Sequence, residues 1–285
     1  DGWSAECGQA IASDSWDVLA LFGVDWPDYT PLLPYSERLK RLRVPVGPES
    51  SKGLGQLSEL RTLQMTDSLD PAVDFRDLRY LESLEVLWDS KNPQHFANPN
   101  IKELIIHGVG GKDLSWLPKD SRLEKLELKG GGLKSLDGIE RAAQLEILHA
   151  HGLRQCLNVG PVMSLGNLRR IDLQTPKATM PDLSWLPRAA GIEIVSIEAR
   201  VLRVDWEMIV QCRKLYRLAV FSDGAPPESE LDFRRAIEST GRELLRFERV
   251  GGKTPGFLVE MTWLSPHRAM TCAKQGSGLV FNMVL

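Results

Sequence analysis

A short pattern of apolar positions, apolar-x-x-apolar-x-apolar, recurs through the middle of the chain. It begins at nine places, namely Leu39, Leu60, Leu84, Ile101, Leu123, Leu145, Leu168, Ile192 and Leu215; the copy at Leu84 has the polar Asp89 in its last position. Successive copies start 21, 24, 17, 22, 22, 23, 24 and 23 residues apart, a mean step of 22. Self-similarity at a steady spacing of this size is typical of repeat architectures. The pattern therefore predicts a stack of about nine similar units.

Each unit is expected to contain one short strand. In the copy that starts at Leu123, the alternation from Lys125 to Lys129 is typical of a half-buried strand. Leu126 and Leu128 are expected to face the core, so Lys125, Glu127 and Lys129 face solvent.

The chain between strands shows a different spacing. Leu133, Leu136 and Ile139 are three residues apart, which suits a 3₁₀ turn on the opposite side of the unit. The segments Asp113–Pro118 and Asp182–Pro187 repeat one another 69 residues apart, and Trp116 and Trp185 occupy matching positions in them. We therefore expect both tryptophans to lie in the core. No single unit can bury its own leucines, so neighbouring units must stack.

From about Ser36 to Gly224 the pattern resembles the leucine-rich-repeat family, whose consensus is L-x-x-L-x-L-x-x-N/C-x-L. It is most similar to the short intracellular type of about 22 residues. The resemblance implies an α/β solenoid with a curved parallel sheet on the concave side and 3₁₀ or short helices on the convex side. The repeats are divergent, because the consensus Asn is kept only at Asn92; its other places are taken by Gly47, Ser68, Gly131, Leu153 and Pro176. The 17-residue step before Ile101 predicts a break in regular curvature.

The repeats require a cap at each end, because a stacked core is open there. We expect residues 1–36 to form a helical N-terminal cap, with a short helix over Ser15–Phe22, and residues 37–224 to hold the repeats. Residues 225–285 predict an α+β region, either a larger cap or a small appended domain that contributes to a partner site. Its elements are a helix over Glu228–Thr240, strands over Leu244–Val250 and Phe257–Leu264, and a third strand over Leu279–Leu285.

Composition narrows the classes of partner. The formal net charge of −3 and the pI near 6.0 provide no general attraction for nucleic acid or anionic lipid. The apolar run Val18–Val24 is too short to cross a bilayer. The four cysteines, Cys7, Cys156, Cys212 and Cys272, are scattered, so we expect free thiols and a cytoplasmic location. We also expect the protein to be a monomer when it is not bound to a partner.

Sites for cofactors and catalysis were sought in three places. His149 and His151 are expected about 7 Å apart on one strand, but no carboxylate or cysteine is placed beside them at ligand spacing, so we expect no metal and no cofactor. Gly251–Thr254 resembles the end of a phosphate-binding loop, but Phe247 stands where its first glycine belongs. Cys272 invites comparison with bacterial leucine-rich-repeat ubiquitin ligases, yet it lacks their Cys-x-Asp motif.

The concave face is the expected functional surface. Its middle row of outward side chains is predicted to be Arg43, Gln64, Trp88, Ile105, Glu127, His149, Asp172, Ser196 and Ala219. Interspersed charges around the apolar anchors Trp88 and Ile105 are typical of protein interfaces. We therefore predict binding of another protein at Trp88, Ile105, His107, Glu127, Lys129, His149, His151 and Asp172.

Two classes of function remain open. The leading hypothesis is a non-enzymatic binding module, in a sharper version a bacterial immunity or inhibitor protein that neutralises a toxin. The alternative is an enzyme, for example one resembling a ubiquitin ligase, that uses its repeats as a substrate receptor.

Overall fold

The repeats build one curved, open sheet in the computed structural model. Among the described residues its strand order is β1 to β10 in sequence, followed by β12 (Gly256–Trp263) and β11 (Arg242–Val250). The ten parallel strands are β1 (Val18–Ala20), β2 (Arg41–Val44), β3 (Thr62–Met65), β4 (Ser83–Leu87), β5 (Glu103–His107), β6 (Lys125–Lys129), β7 (Ile147–His151), β8 (Arg170–Met180), β9 (Ile194–Val201) and β10 (Arg217–Phe221). The structure describes residues 9, 18–20, 28–44, 50, 52–65, 74–89, 93–153, 158–180, 183–201, 205–221, 235, 237, 239, 242–250 and 256–263.

Short helices return the chain between strands, as the spacing by three predicts. The 3₁₀ helices are Thr30–Tyr35, Leu54–Gln56, Phe75–Asp77, Pro93–Phe96, Ile139–Arg141, Gly160–Ser164 and Leu186–Arg188, and Trp206–Ile209 forms a single α-helical turn. Leu126 and Leu128 are fully buried between the two layers, whereas Lys125, Glu127 and Lys129 are partly exposed on the concave face. The strand register predicted for this unit is therefore confirmed.

The register predicted at β4 is wrong. Leu84 and Val86 are both fully buried, so Val86 belongs to the core and not to the concave face. The repeat begins at Leu81, which is also fully buried, and not at Leu84. A start three residues earlier moves every side chain of the strand to the opposite face, because side chains alternate with a period of two. With this correction the 17-residue step becomes a step of 20 residues from Leu81 to Ile101, so the spacing no longer predicts a break in regular curvature.

The turns stack through backbone hydrogen bonds. At the start of the strands, one carbonyl accepts two N–H groups from the next repeat; the Lys102 carbonyl, for example, accepts from Glu124 and Lys125 at 2.8 and 2.9 Å. At the end of β5, β6 and β7 stand Gly108, Gly130 and Gly152, all with φ between 67° and 71°. Each of these glycines donates its N–H to the following strand. In the corrected register, Asp89 and not Asn92 occupies the consensus Asn position of the β4 repeat. Asn92 lies outside the described residues.

The N-terminal segment contains a strand where a helix was predicted. Val18–Ala20 pairs in parallel with Arg41–Arg43 and forms the first edge of the sheet. The predicted helix over Ser15–Phe22 is therefore wrong at residues 18–20. Val18 and Leu19 are apolar residues that suit a strand as well as a helix, and the exposed edge of β2 supplies the hydrogen-bonding partner.

The C-terminal hairpin is confirmed. Strands β11 (Arg242–Val250) and β12 (Gly256–Trp263) are antiparallel, and β12 continues the sheet by pairing with β10. Of the predicted helix, Arg235 and Ile237 are helical. The predicted third strand over Leu279–Leu285 lies outside the described residues, as does Cys272, and the domain boundaries stay a prediction.

Two smaller findings bear on the environment of the chain. Within the described ranges, no helix has the length and apolarity needed to span a membrane. Cys212 is a buried thiol whose Sγ lies 3.8 Å from the Met208 carbonyl oxygen. The other three cysteines lie outside the described residues, so the expectation of four free thiols stays a prediction.

Candidate functional site

Strand pairing brings seven of the eight predicted site residues onto one surface. Glu127 pairs with Ile105 on one side and with His149 on the other, and His149 pairs in turn with Asp172. The next outward row places Lys129 between His107 and His151. We call this surface the central patch; its members are Ile105, His107, Glu127, Lys129, His149, His151 and Asp172.

The eighth predicted residue, Trp88, follows the end of β4 and is absent from the outward rows. Glu85 takes its place, paired with Ile105. The Trp88 ring stacks on Phe96 with ring centroids 5.5 Å apart and lies 5.4 Å from the ring of Trp116. Its indole nitrogen is buried without a hydrogen-bond partner. Trp88 is therefore part of an aromatic cluster packed against the core, and the prediction that it stands exposed in the concave row is wrong.

Glu85 contacts two residues of the central patch, His107 and Lys129, through its carboxylate. Its Oε1 lies 2.8 Å from His107 Nε2 and 3.9 Å from Lys129 Nζ, so one carboxylate serves two neighbouring strands. Lys129 Nζ also lies 3.3 Å from Glu127 Oε1. The Lys129 ammonium is therefore shared between two carboxylates, and its single positive charge offsets one of their two negative charges.

Asp172 is the most deeply placed charge of the patch, with 8% of its surface exposed. Its Oδ2 lies 2.8 Å from Arg170 Nε and 3.0 Å from His149 Nε2. Burial raises the pKa of the Asp172 carboxyl, but the neighbouring His149 and Arg170 side chains outweigh burial and leave that pKa below its usual value. Asp172 is therefore an anion that accepts a hydrogen bond from Arg170 on its own strand and lies close to the His149 ring of β7.

His149 and His151 lie side by side on β7, with ring centroids 5.6 Å apart. Glu127 reaches the same space from β6, and one ligand atom from each of the three residues lies within 4.8 Å of the others. The premise that no carboxylate stands beside the histidines is therefore wrong. Glu127 is separated from them in sequence but is the direct neighbour of His149 in the sheet.

Four further polar residues of this face were not predicted as site residues: Glu85, Glu103, Lys125 and Arg170. Lys125 Nζ lies 2.6 Å from Glu103 Oε1, in the row that precedes the patch. Partly exposed Ile147 separates this pair from Arg170. Alternation along each strand places Glu103, Lys125 and Arg170 on the same face as Ile105, Glu127 and Asp172, two residues further along, whereas Glu85 required the corrected register.

Comparison with known proteins places the fold but not the function. No family model matches the chain, and a search of curated proteins finds no match. Among solved structures, an internalin from Listeria monocytogenes is 13% identical with a TM-score of 0.52, covering 76% of this chain and 71% of its own. A leucine-rich-repeat protein from Leptospira interrogans is 14% identical with a TM-score of 0.54, covering 77% of this chain and 58% of its own.

A third similar structure is a chain of the Toll–Spatzle complex from Drosophila. It is 13% identical with a TM-score of 0.56, and the match covers 79% of this chain but only 32% of the Toll–Spatzle chain. This chain thus spans less than two thirds of the second and third of these neighbours. At such identities the likeness concerns the fold, and it agrees with the repeat spacing and the parallel sheet: the protein is a leucine-rich-repeat solenoid.

Proposed function

We propose that the protein binds another protein through the central patch of its concave face. The observation that carries the proposal is the cross-strand alignment of side chains from β4 to β8, which turns a linear repeat into one continuous surface. With strands about 4.8 Å apart, the row from Glu85 to Asp172 spans roughly 19 Å. That distance suits the centre of a protein interface of ordinary size.

The chemistry of the face favours a protein over a polyanion. Acidic and basic side chains alternate across the strands and pair with one another, so the patch does not present one sign of charge. Partly exposed Ile105 and Ile147 lie among them and supply aliphatic surface for desolvation. Apolar anchors surrounded by polar groups that are already positioned are typical of protein interfaces. Each pair also limits the side-chain entropy that binding must still remove.

The similar structures support the class of function. They include an internalin and a chain of the Toll–Spatzle complex, so this fold occurs in an assembly of two named proteins. The finer version, an inhibitor or immunity protein that covers the active surface of a toxin, is the form we favour for a non-enzymatic binder. The inhibitor hypothesis predicts that the partner loses its activity when the two proteins form a stoichiometric complex.

Site-specific photo-crosslinking tests the location of the proposed surface. A photoreactive residue at Ile105 should yield a crosslinked partner, because its side chain is partly exposed in the centre of the concave face. A matched control carries the same group at exposed Lys134, in the connection that follows β6. Equal crosslinking from both positions, or crosslinking only from the β11–β12 hairpin, would place the interface elsewhere.

A further inference from the structure

We propose that Glu127, His149 and His151 bind one divalent transition-metal ion of the zinc class at the centre of the concave face. The proposal stands apart from protein binding, since the three side chains and the ion suffice to form the site. It rests on cross-strand geometry that the linear sequence conceals. Glu127 precedes His149 by 22 positions, yet the two residues are paired neighbours on β6 and β7.

The ligand atoms are already gathered. One atom from each residue lies within 4.8 Å of the other two. Around a tetrahedral ion with bonds of about 2.0–2.2 Å, ligand atoms stand about 3.4 Å apart. The ligand atoms must therefore approach one another by up to about 1.4 Å. Rotation about their terminal torsions can provide this, because all three are only partly buried and lie outside the close-packed core.

The donor set selects the class of metal. Two imidazoles with one carboxylate suit zinc and its neighbours among the transition metals, whereas calcium and magnesium require oxygen ligands. Three protein ligands leave one position of a tetrahedral ion open. Because the ligands project from the concave face, that position is directed away from the core. Water would occupy it, or a side chain of a bound protein.

Asp172 supplies a feature that is common beside metal-bound histidines. Its carboxylate lies 3.0 Å from His149 Nε2, and that buried nitrogen has no hydrogen bond of good geometry. A metal-ligating histidine usually directs its second ring nitrogen toward a carboxylate or carbonyl group, which fixes the ring and increases its basicity. A small rotation of the His149 ring would complete that hydrogen bond and leave Nδ1 for the ion. Asp172 is thus a positioning residue.

Lys129 is the competitor for this site. Its Nζ lies 3.3 Å from Glu127 Oε1 and forms an ion pair with the carboxylate that the metal would bind. Glu85 offers the same ammonium a second carboxylate, at 3.9 Å. Metal binding therefore requires Lys129 to exchange one carboxylate for the other, and it does not leave a cation unpaired.

Calorimetric titration with Zn²⁺, using the full chain and a competing chelator, tests the site. We expect one ion per chain. His149→Ala, His151→Ala and Glu127→Gln should each weaken zinc binding at least tenfold, and Asp172→Asn should weaken it by about tenfold to a hundredfold. Lys129→Ala should bind zinc more tightly than the parent, a gain that a merely structural role of these residues does not produce.

His107→Ala is the matched control, because this histidine lies on the same face but pairs with Glu85. Its zinc affinity should equal that of the parent. If a histidine variant does not fold, as judged by circular dichroism, Glu127→Gln decides, since Glu127 is partly exposed. The proposal is overturned if Glu127→Gln and Lys129→Ala bind zinc like the parent. It is also overturned if the Co²⁺-loaded protein shows the charge-transfer band of thiolate ligands, which assigns the ion to cysteine.

Discussion

Glu85 and His107 form a cross-strand pair in which the carboxylate Oε1 lies 2.8 Å from the ring Nε2. The pair exists only because β4 starts its repeat at Leu81. In that register Glu85 faces outward and Val86 faces the core, where it is fully buried. The composition of the concave face between β4 and β5 therefore depends on this single choice of register.

The register at β4 predicts a large loss of stability from a charge at one residue and a small loss from the same charge at the next residue. Val86→Asp should lower the free energy of unfolding by more than about 3 kcal/mol, because an unpaired carboxylate would enter the core. Leu87→Asp should cost about 1 kcal/mol or less, since Leu87 is partly exposed on the concave face. Urea unfolding of both variants provides the measurement. Similar losses at the two positions would contradict the register.

The packed Trp88 ring is expected to stabilise the fold. Trp88→Ala should lower the free energy of unfolding by about 2 kcal/mol or more, because it removes a ring that stacks on Phe96 and packs at an angle against Trp116. Tyr80→Ala is the control, since Tyr80 is a large side chain that is 51% exposed. Denaturant unfolding followed by far-ultraviolet circular dichroism measures both. Unchanged stability in Trp88→Ala would show that the ring is not packed.

Gly131 and Gly138 are predicted to tolerate no side chain. Both have positive φ, 102° and 96°, and an added Cβ would lie 1.9 Å from the Val109 carbonyl oxygen or 2.4 Å from the Leu114 carbonyl carbon. Gly131→Ala and Gly138→Ala should each cost more than about 2 kcal/mol, since backbone strain adds to the clash. Gly132→Ala meets nothing within 4 Å and is the matched control. Thermal unfolding of the three variants should separate it from the other two.

The buried Tyr29 side chain is expected to make the folded protein less stable at alkaline pH. Burial raises the pKa of the Tyr29 hydroxyl above its ordinary value of 10.0. The unfolded chain therefore releases this proton from about pH 10 upward while the folded chain retains it, so the free energy of unfolding falls as the pH rises. Tyr29→Phe should remove that part of the decline, whereas exposed Tyr80→Phe should not. Urea midpoints between pH 8 and about 11 give the comparison.

Much of the fold follows from the sequence, because each repeat must bury its leucines against its neighbours. Leu39, Leu60, Leu123 and Leu145 were placed correctly, and all are buried. At β4 two overlapping apolar patterns compete, one from Leu81 and one from Leu84. The second ends on Asp89, a polar residue in a core position, and that mismatch indicated the true register. The N-terminal strand was missed because an edge strand depends on its neighbour.

The candidate site could be predicted only in part. Outward positions follow from alternation, so Glu127, His149 and Asp172 were assigned to one row before their contacts were known. Which atoms meet depends on side-chain rotamers and on pairing between strands about 22 residues apart. Spacing along β7 reveals no carboxylate beside the histidines, because that carboxylate belongs to Glu127 on β6. Distances across strands, and not spacing along one strand, define this site.

Binding of a protein partner predicts a charge effect that depends on position and salt. Once a partner is identified, Glu127→Lys should slow its association and increase its dissociation constant at least fivefold, because it reverses a charge in the centre of the proposed interface. Added salt should reduce the effect on the association rate, since the Debye length falls from about 10 Å at 0.1 M to about 3 Å at 1 M. Stopped-flow association measured at several salt concentrations gives both quantities.

Glu124→Lys is the matched control for that experiment. It makes the same change of charge three residues away, at an exposed position that precedes β6 and lies outside the outward rows. Ile105→Ala completes the set: it should accelerate dissociation with little effect on association, because it removes apolar contact and leaves the charge unchanged. If Glu124→Lys slows association as much as Glu127→Lys, net charge and not the patch governs the encounter. If Ile105→Ala and Glu127→Lys both bind like the parent, the partner does not dock on the central patch, and the β11–β12 hairpin becomes the next surface to vary.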